Sequence, residues 1–221
     1  ELPEFFHEGV NLVDSSQLHY VGGPQGGIFG GTLLTISPDI DRGVLIVGGV
    51  VYAFMIERSI DFDPFEVFFS LSFPDRLDRA LVLPMMQHLL DSAEPAGYLG
   101  HTLSGLPGIG PKSVLAIAAV NDAQVPNLST DHSMRMVGVP LLPGSARTPW
   151  GFESATLPHN GSGYISIDMG DPAVPEGNLP PDADHGGHGG VGFSDAAISM
   201  INGFLRTGEI DHSCDGVCDP D

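Results

Sequence analysis

The sequence predicts an α/β fold, a mostly parallel sheet flanked by helices, built as one domain over residues 1–221. Three observations carry this. The runs Arg42–Val51, Ser113–Val120 and Gly163–Asp168 are strand-length and apolar, as strands covered on both faces are. Helix-length segments separate them, and alternating β and α elements imply a parallel sheet. Near the start, Gln17–Gly22 reads as a buried strand, Gly22–Gly27 as a tight turn, and Ile28–Ser37 as a helix leading into Arg42–Val51, which together make one βαβ unit.

The remaining elements follow in order. Ser37-Pro-Asp stops the first helix. Asp61–His88 carries apolar and charged residues at helical spacing, broken by Pro64, Pro74 and Pro84, and reads as two or three helices. Glu94–Lys112 is a Gly- and Pro-rich loop, and Ser129–Gly138 a helix. Leu141–His159 is irregular around Trp150, and Asp171–Gly192 is a long loop of Pro, Gly, Asp and His. Ser194 caps a last helix, Asp195–Arg206, which Gly208 closes. No internal repeat or domain boundary is evident.

Charge narrows the function classes. The chain has 28 acidic and 8 basic residues, its single lysine being Lys112, for a net charge of −20. Nucleic-acid binding needs clustered Lys and Arg, so it is excluded, and an anionic membrane surface is disfavoured. The plain reading is a solvated acidic surface, with divalent-cation binding as the other. No apolar run reaches the roughly 18 residues of a membrane span. The N-terminus, Glu1-Leu-Pro-Glu-Phe-Phe, lacks a basic n-region and an apolar h-region and reads as a mature or processed end. Cys214 and Cys218 flank the turn pair Asp215-Gly216. A disulfide loop in a tail over 209–221 is expected, and with it an oxidising compartment: secreted, periplasmic or cell-surface. Two thiols without a neighbouring histidine make a poor zinc site, and no metal or cofactor is expected.

The segment Tyr20-Val-Gly-Gly-Pro-Gln-Gly-Gly-Ile-Phe-Gly30 resembles the nucleophile elbow of α/β-hydrolases. In particular it is similar to a group of secreted bacterial lipase/esterase-like proteins reading Tyr-Tyr-Gly-x-Ser-Gln-Gly-Gly-Ile. Gly22 and Gly26 match the flanking glycines, and Gln25 matches the residue after the nucleophile, whose N–H would serve the oxyanion. The nucleophile position itself is Pro24. An elbow nucleophile is held at positive φ, whereas proline fixes φ near −65°. Pro24 therefore lacks the hydroxyl and cannot hold the elbow backbone.

Other segments carry the same resemblance: Arg42-Gly-Val-Leu-Ile-Val-Gly48, Arg58-Ser-Ile-Asp-Phe-Asp-Pro-Phe65, Pro74-Asp-Arg-Leu-Asp-Arg-Ala80 and Glu94-Pro-Ala-Gly-Tyr98. It implies a partial hydrolase fold, the C-terminal part, with a small helical cap inserted at about 57–112. It maps the triad acid onto Asp122 in Asn121-Asp-Ala-Gln-Val-Pro126. The triad histidine falls on His188 in His185-Gly-Gly-His188, with His185 as the alternative, although the arginine of the family pattern is here Gly192. The order nucleophile, acid, histidine is the hydrolase order. Asp182, Asp184, His185 and His188 also admit a metal-site reading.

Only some sixteen residues precede the first strand, where the family has about four strands. The exposed sheet edge this leaves would need covering, so a partner chain is expected, either the N-terminal half of the fold or an assembly partner. The functional expectation is a catalytically degenerate, hydrolase-like secreted protein acting as a structural or binding subunit. The alternative is an active esterase or lipase using Ser15, Ser16 or a group on another chain.

Overall fold

The structure is a computed structural model that describes residues 3–14 and 16–219. Ser15, the Glu1-Leu2 start of the proposed processed end and the last two residues of the tail lie outside the described residues. A short antiparallel pair, β1 (Phe6–His7) and β2 (Val10–Asn11), precedes β3 (His19–Gly22), α1 (Pro24–Ile36) and β4 (Arg42–Ile46). The helical segment follows: α2 (Tyr52–Met55), α3 (Asp63–Ser72) and α4 (Arg76–Leu90). Then come β5 (Ser113–Ala119), α5 (Asn127–Val137), β6 (His159–Asn160) and β7 (Gly163–Ile167). The chain closes with α6 (Gly187–Gly190), α7 (Asp195–Thr207) and β8 (Glu209–Ile210).

Four strands form the central sheet in the order β3-β4-β5-β7, every pair parallel. Alternation along β5 sorts its residues between two cores. Leu115 and Ile117 pack with Ile165, Met200 and Phe204 beneath α7. Val114, Ala116 and Ala118 pack with Leu34, Leu45 and Met134 on the side of α1 and α5. Each fully buried side chain of this size stabilises by about 1.5–3 kcal/mol, so the two layers clamp the middle of the sheet. One edge strand is β3, at the opposite side of the sheet from β7. The sequence predicts it as buried, yet Val21 is 49% exposed.

Three boundaries differ from expectation, each for a local reason. Helix α1 starts at Pro24, four residues before the predicted Ile28, because a proline fits the first turn, where its missing N–H is not needed. Strand β4 ends at Ile46 rather than Val51, since Val47 takes φ 45° and turns the chain out of the sheet. Pro84 lies inside α4 and does not break it. Pro64 and Pro74 act as read, near the start of α3 and between the two helices.

The tail is clipped back onto the sheet. Cys214 and Cys218 form a disulfide with a Cα–Cα distance of 5.2 Å, and Cys218 is fully buried. The Cys218 N–H donates to the Gly144 carbonyl at 2.8 Å, and its carbonyl accepts from the Asp168 N–H at 3.0 Å. Cationic side chains are largely turned to internal use. Arg147 pairs with Asp131, which also accepts from the Tyr164 hydroxyl at 2.7 Å. Arg42 and Arg135 donate to the carbonyls of Leu205 and Trp150, Arg79 pairs with Glu66, and Lys112 is buried 3.9 Å from Asp41. No helix among the described residues is long and apolar enough to cross a membrane.

Candidate functional site

The C-terminal ends of β3 and β5, with the loop before α7, bring the sequence-selected residues to one region. Beyond β5, Asn121 takes φ 57°, and its side chain donates to the Asp171 carbonyl at 2.9 Å. This bend turns Asp122 inward, where it is 2% exposed. Asp122 Oδ1 accepts the backbone N–H groups of Gln124 and Val125, each at 2.9 Å. Such a local turn is the habit of an Asp after a strand, and it fixes the carboxylate rotamer.

His188 lies on the one-turn helix α6 and is 3% exposed. Its Nδ1 is 2.8 Å from both Asp122 oxygens. Because a carboxylate accepts, Nδ1 carries the proton. The approach depends on Gly187. Its N–H donates to Asp171 Oδ2 at 3.0 Å, and a Cβ there would come within 2.5 Å of that oxygen. The second ring nitrogen, Nε2, is buried with no hydrogen-bond partner.

Pro24 is the first residue of α1, after Gly23 at φ −102° and ψ 170°. The passage from strand to helix is thus an extended residue followed by a helical one, with no residue at positive φ between Gly22 and Gly27. Gly27 and Gly48 let α1 cross the end of β4 closely, since a Cβ on Gly27 would lie 2.6 Å from the Ile46 carbonyl oxygen. Gln25, the predicted oxyanion donor, lies in the first turn, where N–H groups have no intrahelical partner.

Pro24, Gln25 and His188 line one cleft of about 380 Å³, within the range of small-molecule pockets. Its walls are largely apolar, with Ile28, Met55 and Val125 below and Phe62 and Phe65 toward solvent. Sequence reasoning did not single out these wall residues, although Ile28, Phe62, Phe65 and Val125 lie within segments that carry the family resemblance. Tyr52 also lines the cleft, and its phenol is held above the usual range by burial first and then by the charge of Glu94.

His185 does not share the site. It is exposed and lines a separate cavity with Asp171 and Asp182. Asp184 binds the Gly186 N–H at 2.9 Å and the Gln124 amide at 2.8 Å, and these two contacts hold its carboxyl below the usual range. With His188 turned to Asp122, the four residues of the metal reading do not converge. Contrary to the sequence reading, a histidine does stand beside the two cysteines: among the described residues one cluster has ligand spacing, His212 with Cys214 and Cys218, and both thiols are spent in the disulfide.

No family model matches the sequence, and no curated protein matches it. Solved structures do. The acylaminoacyl peptidase of Pyrococcus horikoshii aligns with 91% of this chain at a TM-score of 0.50 and 12% identity. That peptidase has the α/β-hydrolase fold. This chain has a partial α/β-hydrolase fold. It covers 25% of the length of the Pyrococcus peptidase. A puromycin-hydrolyzing peptidase of Mycobacterium tuberculosis also matches, at 13% identity and a TM-score of 0.46, over 94% of this chain and 24% of that one. Acetyl xylan esterase 1 from a Thermoanaerobacterium species matches at 12% and 0.43, over 74% and 43% of the two chains. At 12% identity the likeness to the Pyrococcus peptidase speaks for the fold alone.

Proposed function

We propose that this chain is a catalytically degenerate α/β-hydrolase-like protein that keeps the acid–histidine pair and the cleft but not the nucleophile, and that it serves as a secreted binding subunit. The observation that carries the reading is Pro24 at the first position of α1, lining the same cleft as His188. On this reading Asp122 and His188 are the vestigial acid and base, Pro24 stands at the nucleophile position, and Gln25 stands at the oxyanion position. Residues 1–221 form one hydrolase-like domain, and 57–112 form a cap over the cleft.

The disulfide supports an oxidising compartment. The partner chain is supported by β3, whose outer edge is unpaired among the described residues and exposes Leu18 and Val21 beside it. Size-exclusion chromatography of the purified chain tests this, and a well-behaved monomer that captures no partner counts against it. The catalytic claim is tested with a fluorophosphonate probe. The expected result is no covalent labelling. Labelling that disappears in Asp122→Ala or His188→Ala would overturn the degenerate reading.

A second reading, an active esterase or lipase-like hydrolase completed by another chain, is favoured by one observation. The Asp122–His188 pair is intact and Nε2 is free to serve a nucleophile. A search for labelling in the copurified complex separates the two.

A further inference from the structure

Burying a polar atom without a partner costs about 1–3 kcal/mol, and proteins rarely leave one so. His188 Nε2 is such an atom, on a side chain 3% exposed that lines a 380 Å³ cleft. Its chemistry is fixed by its neighbour. Nδ1 donates to Asp122, so in the neutral ring Nε2 holds a lone pair and accepts. A proton on Nε2 would be a buried donor with no acceptor. What Nε2 lacks is a hydrogen-bond donor.

The remaining walls define the molecule that would bring it. Most are apolar, Met55, Phe62 and Phe65 among them. No Lys or Arg lines the cleft, Asp61 stands at its exposed rim, and the chain carries −20 overall, so a carboxylate is disfavoured. An ammonium would have to leave water to reach Nε2, and the Asp122 charge behind it is already engaged by three donors. At the same end, the unpaired first-turn N–H groups of α1 offer a donor to a ligand oxygen. A hydroxyl both donates and accepts.

We infer that the cleft binds, without converting it, a neutral amphipathic alcohol whose hydroxyl donates to His188 Nε2 while its apolar body lies against Ile28, Met55 and Phe62. This rests on the degenerate reading of the site.

The test uses the full chain and four molecules of nearly equal size: 1-octanol, heptyl methyl ether, octanoate and octylammonium, titrated by calorimetry, with the ¹⁵N resonance of His188 Nε2 followed by NMR. Octanol is expected to bind more tightly than the ether by about 2- to 10-fold, the share of one hydrogen bond, and to shift the Nε2 resonance. Octanoate and octylammonium are expected to bind more weakly than octanol. In His188→Phe, octanol and ether are expected to bind alike, and the comparison among ligands on the unaltered protein stands even if that variant does not fold. Equal binding of alcohol and ether, tighter binding of either ion, or no binding of any of the four overturns the inference. Those outcomes leave the degenerate reading intact, since it fails on fluorophosphonate labelling instead.

Discussion

Asp122→Asn keeps the size of the side chain and the oxygen that accepts from Gln124 and Val125. The amide nitrogen then faces His188 Nδ1, where the carboxylate stood at 2.8 Å. Oδ1 stays 2.8 Å from Nδ1, but it already accepts two N–H groups and the new donor now stands beside it. The ring is therefore expected to shift toward the tautomer with Nδ1 accepting and the proton on Nε2. One loss follows. A charge-assisted hydrogen bond becomes a neutral one, a difference of about 1 kcal/mol. At Nε2 the unpaired acceptor of the parent becomes an unpaired donor, one unsatisfied atom in place of another. The destabilisation of about 1 kcal/mol lowers Tm by roughly 2–4 °C in a chain of this size. Urea denaturation with an unchanged m-value measures the first quantity, and the ¹⁵N shifts of the ring report the tautomer. In the same variant the preference for octanol over heptyl methyl ether is expected to vanish, because Nε2 now donates and the hydroxyl and ether oxygens both accept. A variant as stable as the parent, or one whose Nε2 stays unprotonated, would refute the reasoning.

Other perturbations have definite expected outcomes. Glu94 is fully buried and accepts the N–H groups of Val51 and Ala96, and burial raises its carboxyl above the usual range. The folded state therefore holds this proton more tightly than the unfolded chain. The contribution is present at low pH and is lost as pH rises from about 4.3 through the raised value. Urea midpoints measured across that window are expected to fall in the parent and to lose that component in Glu94→Gln. Gly187→Ala places a Cβ against Asp171 and is expected to cost about 1–3 kcal/mol by thermal melt, with loss of the His188 Nδ1 hydrogen bond seen by NMR. Reduction of Cys214–Cys218 opens only a short loop and is expected to cost about 2 kcal/mol. It leaves the chain folded, as circular dichroism with and without reductant would show.

The central strands were legible because their apolar runs are continuous, and the final helix because Ser194 and Gly208 mark both ends. The start of α1 was misjudged through the glycines. Gly22 to Gly27 read as turn, yet Pro24 supplies a helical φ and the glycines serve a close crossing. The strand before it was expected to be buried, and its exposure depends on neighbours that periodicity does not report. At the site, Asp122 was legible from its position after β5. The contact that selects His188 over His185 runs through Gly187 and Asp171, sixteen residues apart. No local pattern encodes it. Glu94 was hidden for the same reason, since its partners are backbone groups brought near only by folding.

The inward use of cations has a consequence for the whole particle. With Arg42, Arg79, Arg135, Arg147 and Lys112 spent on carbonyls and carboxylates at or beneath the surface, little positive charge is left to relieve the acids outside. The folded chain behaves as a compact polyanion wrapped in a counterion atmosphere about 8 Å thick at physiological ionic strength. Dilute buffer thickens that atmosphere and lets the acids repel one another across the molecule. Added salt thins it, and two such particles, or a particle and its partner, can then approach closely enough for apolar surfaces to meet.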